Sequence, residues 1–382
     1  MAHLIFDGVP SLQFASDIAA AGPWPRVGIA SRRYLGAKTR LLPFLLEATS
    51  QTIGPDASFA DVMAGTGVVA DAFTSAGRPT LANDLLYSNH LALRCFLGES
   101  EISPESIEES IATLQGLAPA AGYATKHFGG AYFTHQNAAR IDAIRERIDL
   151  WSRQKQISSQ VEAVLITALL YAADKVAHTC GHYDAFRRAP LAPTPLQLRV
   201  PEFEASKNVG NRITNENANT LVRHIEADAI YLDPPYNSRQ YSDTYHLIEN
   251  LARWQKPEVF GEARKMDRAS LKSRYCSRNA AKALDELVQS ASCRHLLLSY
   301  NNMGDRGNDR SNARISDDDI MTILGRRGKV TVHKRTFNAF TTGLAFHSAG
   351  HEERLFVCEV QSKPSLGQER RMAIEELPVG GH

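Results

Sequence analysis

The apolar run Ala229-Ile230-Tyr231-Leu232 stops at Asp233-Pro234-Pro235-Tyr236. Proline has no N–H to give a β-ladder, so two in succession end a strand and open a loop. A carboxylate at a strand end, next to a rigid carbonyl and an aromatic face, suits a planar ring that carries an exocyclic amine. The nitrogen of such an amine delocalises its lone pair into the ring and is a poor nucleophile. Asp233 and the Pro234 carbonyl can each accept one of its N–H bonds, drawing the nitrogen towards tetrahedral geometry. The prolines, Pro234 and Pro235, hold that acceptor in place beforehand. Tyr236 then offers a stacking face, which a base taken out of a duplex needs.

A second constellation lies upstream. Ser58-Phe59-Ala60-Asp61-Val62-Met63 reads as a strand, followed by Gly65-Thr66-Gly67 and a helical Val68–Phe73 segment. A glycine turn between strand and helix lets backbone approach a ligand, and an acid closing the next strand, here Asp84, can accept ribose hydroxyls. With two glycines and no third at the dinucleotide spacing, the turn favours a nucleoside over a pyrophosphate. Before it, Arg32 to Leu42 is basic. That stretch is either a cap on a helix whose apolar face includes Leu41, Leu42 and Leu45, or a site element with Tyr34 stacking and Lys38 facing a ligand carboxylate.

Other clusters carry less. His178, Cys180 and His182 have a spacing zinc could use, but Gly181 interrupts the helix and no second ligand pair follows, so no metal is expected. From Arg264 to Arg278 the chain is locally basic, and Arg268, Lys272 and Arg274 are candidates for phosphate contact, against the plain alternative of a solvated face.

The elements that must hold these residues follow from the pattern. Strands and helices alternate from Ser31 to about Phe96, which argues for a parallel sheet. From about 97 to 220 the strands disappear, and Gln136–Trp151 and Val161–Ala177 show helical periodicity. After Leu221 strands return at Ile230–Leu232, His295–Tyr300, Lys329–His333 and Arg354–Val360. The expected organisation is an N-terminal arm (1–30), one α/β domain in two segments (31–96 and 221–362), a helical insert (97–220) and a flexible tail (363–382).

Composition bounds the rest. The chain has 382 residues, 43% of them hydrophobic, enough for a sizeable core. A net charge of +1 gives no global pull on a polyanion, so any nucleic-acid surface must be local. Five scattered cysteines without a C-x-x-C indicate neither a disulfide framework nor a thiolate zinc site, and fit a reduced, cytoplasmic setting. No secretory signal pattern is read at the N-terminus. The apolar run at 161–173 contains Glu162 and is too short to cross a bilayer, so no membrane partner is expected.

Taken together, these motifs resemble the DNA adenine methylases, N6-adenine methyltransferases that use S-adenosylmethionine. The resemblance runs through Arg33–Leu42, Asp61–Gly67, Asn83-Asp84-Leu85, Asp233–Asn237, Arg239-Gln240-Tyr241, Tyr245-His246, Leu298–Asn302 and Leu355-Phe356-Val357. The order (cofactor motif, long insert, catalytic motif) is the family's alpha arrangement. It implies a Rossmann-like S-adenosylmethionine-dependent methyltransferase sheet with a helical insert. Cofactor contacts would come from Tyr34, Lys38, Met63, Gly65, Gly67, Asp84 and Leu85, with Met63 standing where the family often has phenylalanine. Asp233, Pro234, Pro235 and Tyr236 would be catalytic.

The resemblance also places target recognition in the insert, where Gln136, Asn137, Arg187 and Arg188 are candidate DNA contacts. The implied partner is double-stranded DNA, with a cognate restriction nuclease as a second one. The alternatives are an RNA adenine-N6 or cytosine-N4 methyltransferase, and a catalytically silent DNA-binding subunit.

Overall fold

The computed structural model describes residues 24–179, 181–187, 193–301, 315–337 and 351–361. The strands are β1 (Arg26–Val27), β2 (Phe59–Asp61), β3 (Thr80–Asn83), β4 (Val200–Pro201), β5 (Arg212–Thr214), β6 (Glu226–Leu232), β7 (Ser292–Asn301), β8 (Gly328–Phe337) and β9 (His351–Val360). Seven of them form one sheet in the order β5-β3-β2-β6-β7-β9-β8. Pairing is parallel from β5 to β7, and β9 runs antiparallel to both β7 and β8. Helices cover both faces, so a central strand such as β2 is buried throughout and reads as a continuous apolar run. Strand order reverses between β2 and β6, which opens a crevice at their carboxyl ends.

The helices are α1 (Leu42–Thr49), α2 (Val68–Ser75), α3 (Tyr87–Leu97), α4 (Pro104–Gln115), α5 (Tyr123–Phe128), α6 (His135–Arg153), α7 (Ser159–Val176), α8 (Ala218–Leu221), α9 (Tyr241–Thr244), α10 (His246–Arg253), α11 (Ala280–Ser290) and α12 (Asp317–Gly325). On one face of the sheet, Leu41, Phe44, Leu45 and Phe73 pack against Phe59, Tyr231, Leu297 and Val357. On the other, Leu284, Leu287, Ile320 and Leu324 pack against Ile230, Leu296 and Phe356. A third cluster joins α3 to α4, α6, α7 and α10. The apolar run predicted as a buried helix is α7, whose residues from Ala163 to Asp174 are all buried. Among the described residues no helix is long and apolar enough to cross a membrane.

Two buried carboxylates start helices that the local sequence caps only weakly. Glu249 of α10 accepts from Tyr87 N at 2.9 Å and Ser88 N at 2.8 Å, at the first turn of α3. Asp142 of α6 does the same for α5, taking bonds from Gly122 N, Ala124 N and Thr125 N. Negative charge at these N-termini meets unpaired N–H groups and the positive end of the helix dipole.

The interval 97–220 is not free of strands. β5 joins the sheet at its edge beside β3, and β4 pairs in parallel with β1, within the expected N-terminal arm. β5 was hidden because its three residues are only half-buried and are flanked by Gly210-Asn211 and Asn215-Glu216-Asn217, which read as loop. The insert also shares a core with its surroundings: Ile107, Ile144 and Leu165 belong to the same cluster as Leu91 and Leu247.

Candidate active site

A cavity of about 1020 Å³, mouth included, opens at the carboxyl ends of β2, β3 and β6. Tyr34, Lys38, Met63, Gly65, Asp84, Leu85, Asp233 and Pro235 all line it, from four separate stretches of chain. Gly65 and Gly67 both have positive φ, +55° and +84°. A Cβ on Gly65 would stand 3.2 Å from the Tyr34 ring, and one on Gly67 would collide with Leu93 at 2.5 Å. The turn therefore needs glycine for packing as well as for conformation. Gly67 supports the turn from behind and is not among the lining residues.

Asp84 is tied into the turn it faces. One oxygen accepts from Gly65 N at 2.8 Å, and the other accepts from Leu86 N at 2.9 Å and Asn89 Nδ2 at 3.1 Å. Burial nevertheless pushes its pKa up to about 6, with those bonds holding it down. Asn89 also donates to the Tyr34 hydroxyl and accepts from Arg32, linking the upstream basic segment to the acid. Asn215 donates to the carbonyls of Asp84 and Leu85 and holds that turn from the β5 side.

Lys38 is not left free for a ligand carboxylate. It is buried, and its Nζ lies 2.8 Å from Asp233 Oδ2 and 3.2 Å from the Gly36 carbonyl. Burial opposes its charge, but Asp233, Tyr236 and Glu353 together hold its pKa above the ordinary lysine value. For Asp233 burial raises the pKa, and Lys38 pulls against it. Tyr236 sits beyond this pair, its ring centroid 5.9 Å from Lys38 Nζ and edge-on to Tyr300, outside the cavity lining.

The loop that carries Tyr34 is clamped to the segment after the catalytic motif. Tyr245 accepts from Leu35 N at 2.6 Å, and Tyr241 donates to Leu35 O at 3.1 Å. The rings of Tyr34 and Tyr245 stack with centroids 4.6 Å apart, and Arg32 lies over both.

Asp61 is the site residue that the motif reading left without a role. It is 1% exposed, it lines the cavity, and neither carboxylate oxygen makes a hydrogen bond of normal geometry, the backbone N–H of Met63 being the donor turned towards it. Burial first, then the Asp233 charge, raises its pKa well above the ordinary value. An orphaned buried carboxylate aimed into a cavity calls for a cationic ligand group. Its signal was an acid inside an apolar strand. Glu216 and Asn217 after β5 were likewise missed and also line the cavity, as do Gln240, Ser273 and Arg274.

The expected DNA contacts separate by burial. Asn137 is 3% exposed, and its amide donates to Thr194 O and accepts from Leu196 N, so it braces the chain and is not placed to meet a groove. Tyr132 and Phe133 beside it are core. Gln136 and Arg187 are exposed, and Arg188 lies outside the described residues. Arg268 pairs with Asp243 at 2.6 Å and Arg274 with Glu286 at 2.6 Å, whereas Lys272 is exposed. Around the weighed zinc spacing, His178 Nδ1 meets Arg187 O at 3.1 Å and His182 lies beside Asp184, with Cys180 outside the described residues.

A methyltransferase-type sheet, a nucleoside-shaped turn and an acid before paired prolines thus meet at one crevice. The family model for D12 class N6 adenine-specific DNA methyltransferases matches residues 34–304, and the chain belongs to that family. It is similar to the type II methyltransferase M.NlaIII of Neisseria lactamica, 32% identical over 283 residues that cover 71% of this chain and 84% of that protein. It is similar also to the modification methylase StsI of Streptococcus sanguinis, 32% identical over 76% of this chain but only 46% of that longer protein. The type II methyltransferase M.CviAII of Paramecium bursaria Chlorella virus 1 is 26% identical over 86% of this chain and 98% of its own length.

Proposed function

We propose that the chain transfers a methyl group from S-adenosylmethionine to the N6 of an adenine turned out of double-stranded DNA at a specific sequence. The observation that carries this reading is the orphaned Asp61 carboxylate in the same cavity as the Lys38-anchored Asp233. S-adenosylmethionine supplies, when bound, an electrophilic methyl group on a sulfonium. Asp61 would hold the cofactor's ammonium group, Asp84 would accept from its ribose, and Met63 and Leu85 would pack on its adenine. Gly65 gives that ligand room to approach.

Asp233 and the Pro234 carbonyl take the two N–H bonds of the target amine, and Pro235 keeps the loop rigid, so the acceptors need no reorganisation as charge develops. Tyr236 stacks on the turned-out base. The methyl passes directly to nitrogen with no covalent enzyme adduct. The proposed partners are double-stranded DNA and, in a restriction–modification pairing, a nuclease that reads the same site, with the cytoplasm as the place of action.

The test is transfer of labelled methyl into duplex DNA by the purified chain, followed by digestion to nucleosides. Label in N6-methyladenosine's deoxy form is the expected outcome. Label only in N4-methyldeoxycytidine, or only when RNA replaces DNA, would reject the reading.

A further inference from the structure

β9 carries a further carboxylate, Glu353, on the side of β6 away from the glycine turn and outside the cavity lining. Register sets Tyr231 beside Leu297 and Leu297 beside Val357. Side chains alternate along strands, so Tyr231, Ser299 and Glu353 lie on one face, and the bond from the Tyr231 hydroxyl to Ser299 Oγ at 2.8 Å fits that alternation. This is the face on which Lys38 sits. Glu353 is half-buried there, opposite Asn301 on β7. Lys38 therefore has Asp233 in contact at 2.8 Å and Glu353 on the same face within electrostatic reach.

Charges of both signs surround this pair, and Arg354, the nearer arginine in sequence, is itself paired with Asp317. Glu353 is faced by Lys38, Asp233 and the phenols of Tyr231 and Tyr236, with Arg354 next to it on β9 and Arg335 opposite it on β8. Asp233 is faced by Lys38, Asp61, Glu353 and the phenols of Tyr231, Tyr236 and Tyr241.

Given the methyl transfer proposed above, this arrangement has a task. As the amine's lone pair forms the new nitrogen–carbon bond, the sulfur–methyl bond breaks and leaves its electron pair on sulfur. The nitrogen then carries a positive charge until one of its two protons departs, and the adjacent base is Asp233. A lysine cation at 2.8 Å makes a carboxylate a poorer base. We propose that Glu353 is a positioning residue for this step, dividing the Lys38 charge with Asp233 so that Lys38 anchors Asp233 without disabling it as proton acceptor. Removing the Glu353 charge would act twice in one direction. It would let Lys38 bear on Asp233 alone, and it would delete a like charge from the Asp233 surroundings.

The experiment is a carboxyl carbon-13 NMR titration of the full chain labelled at aspartate, with the Asp233 signal identified by its loss in Asp233→Asn. In Glu353→Gln the Asp233 midpoint should fall by about half a pH unit or more, and Glu353→Asp should return it part of the way. Single-turnover methylation of a duplex oligonucleotide, measured alongside, should slow about two- to threefold in Glu353→Gln, with the acid limb of its pH profile displaced the same way. An unmoved Asp233 midpoint would overturn the proposal, and so would a lower melting temperature with midpoint and acid limb unchanged. If the parent chain transfers no methyl, the proposed function fails, while the titration still decides whether Glu353 acts on Asp233.

Discussion

At the residue scale, the two acids on the cofactor side differ in how far they are satisfied. Asp84 has three hydrogen bonds within the chain, and Asp61 has none of normal geometry, only the Met63 backbone turned towards it. The folded pKa of Asp84, about 6, lies above that of an unfolded aspartate. Its contribution to stability is thus fully present below about pH 4 and is lost as pH rises through 6. Asp61 is shifted in the same direction. A cationic cofactor prefers both groups ionised, so its binding should strengthen as the pH rises across that range. Stabilisation by saturating S-adenosylmethionine, read as a shift in melting temperature, should therefore grow between about pH 5 and about pH 7. Asp61→Asn and Asp84→Asn should each reduce that growth. A shift that is constant with pH in the parent chain would remove both acids from the cofactor site.

At the element scale, the site depends on helices that are started from a distance. Glu249 is fully buried, caps α3 and pairs with Arg253 at 2.7 Å. α3 carries Asn89 to Asp84 and Tyr34, so loosening its first turn should reach the cofactor. Glu249→Gln should cost about 2 kcal/mol of stability, because a buried charged acceptor is replaced by a weaker one. It should also lower cofactor affinity, and calorimetry with thermal melting checks both. Unchanged stability and affinity would return Glu249 to a passive role.

The same scale explains what could be read from sequence. The strand-turn-helix from Phe59 to Ser75, the long helices α6 and α7, and the strand end at Asp233 each declare themselves through local periodicity or through glycine and proline. β5 does not, since three half-buried residues carry no period. The pairing of Lys38 with Asp233 and the use of Asn137 by Thr194 and Leu196 were equally invisible, because the partners are remote in sequence and only the fold brings them together. Asp61 was quoted within its motif, but burial without a partner is a property of the folded chain.

At the scale of the whole molecule, a net charge of +1 leaves DNA attraction to a few free cations. Arg268 and Arg274 are paired with acids, while Lys272 lies exposed between them. Lys272→Ala should lower the slope of log affinity against log salt by about 0.9, equally for target and non-target duplexes. Arg268→Ala, which frees Asp243, should act more on stability than on that slope. An unchanged slope in Lys272→Ala would make this segment a solvated face. Site choice must come from side chains that reach base edges, and of the insert residues considered, Gln136 and Arg187 remain exposed for it. Under the proposed function, the crevice around Asp233 methylates adenine N6 in a defined sequence context. The most direct measurement is a base-resolved map of modified adenines in DNA from cells expressing the chain or its Asp233→Asn variant. N6-methyladenine should be confined to one short motif with the parent chain and should not rise above background with the variant. Modification scattered without a motif, or persisting in the variant, would contradict the proposed function.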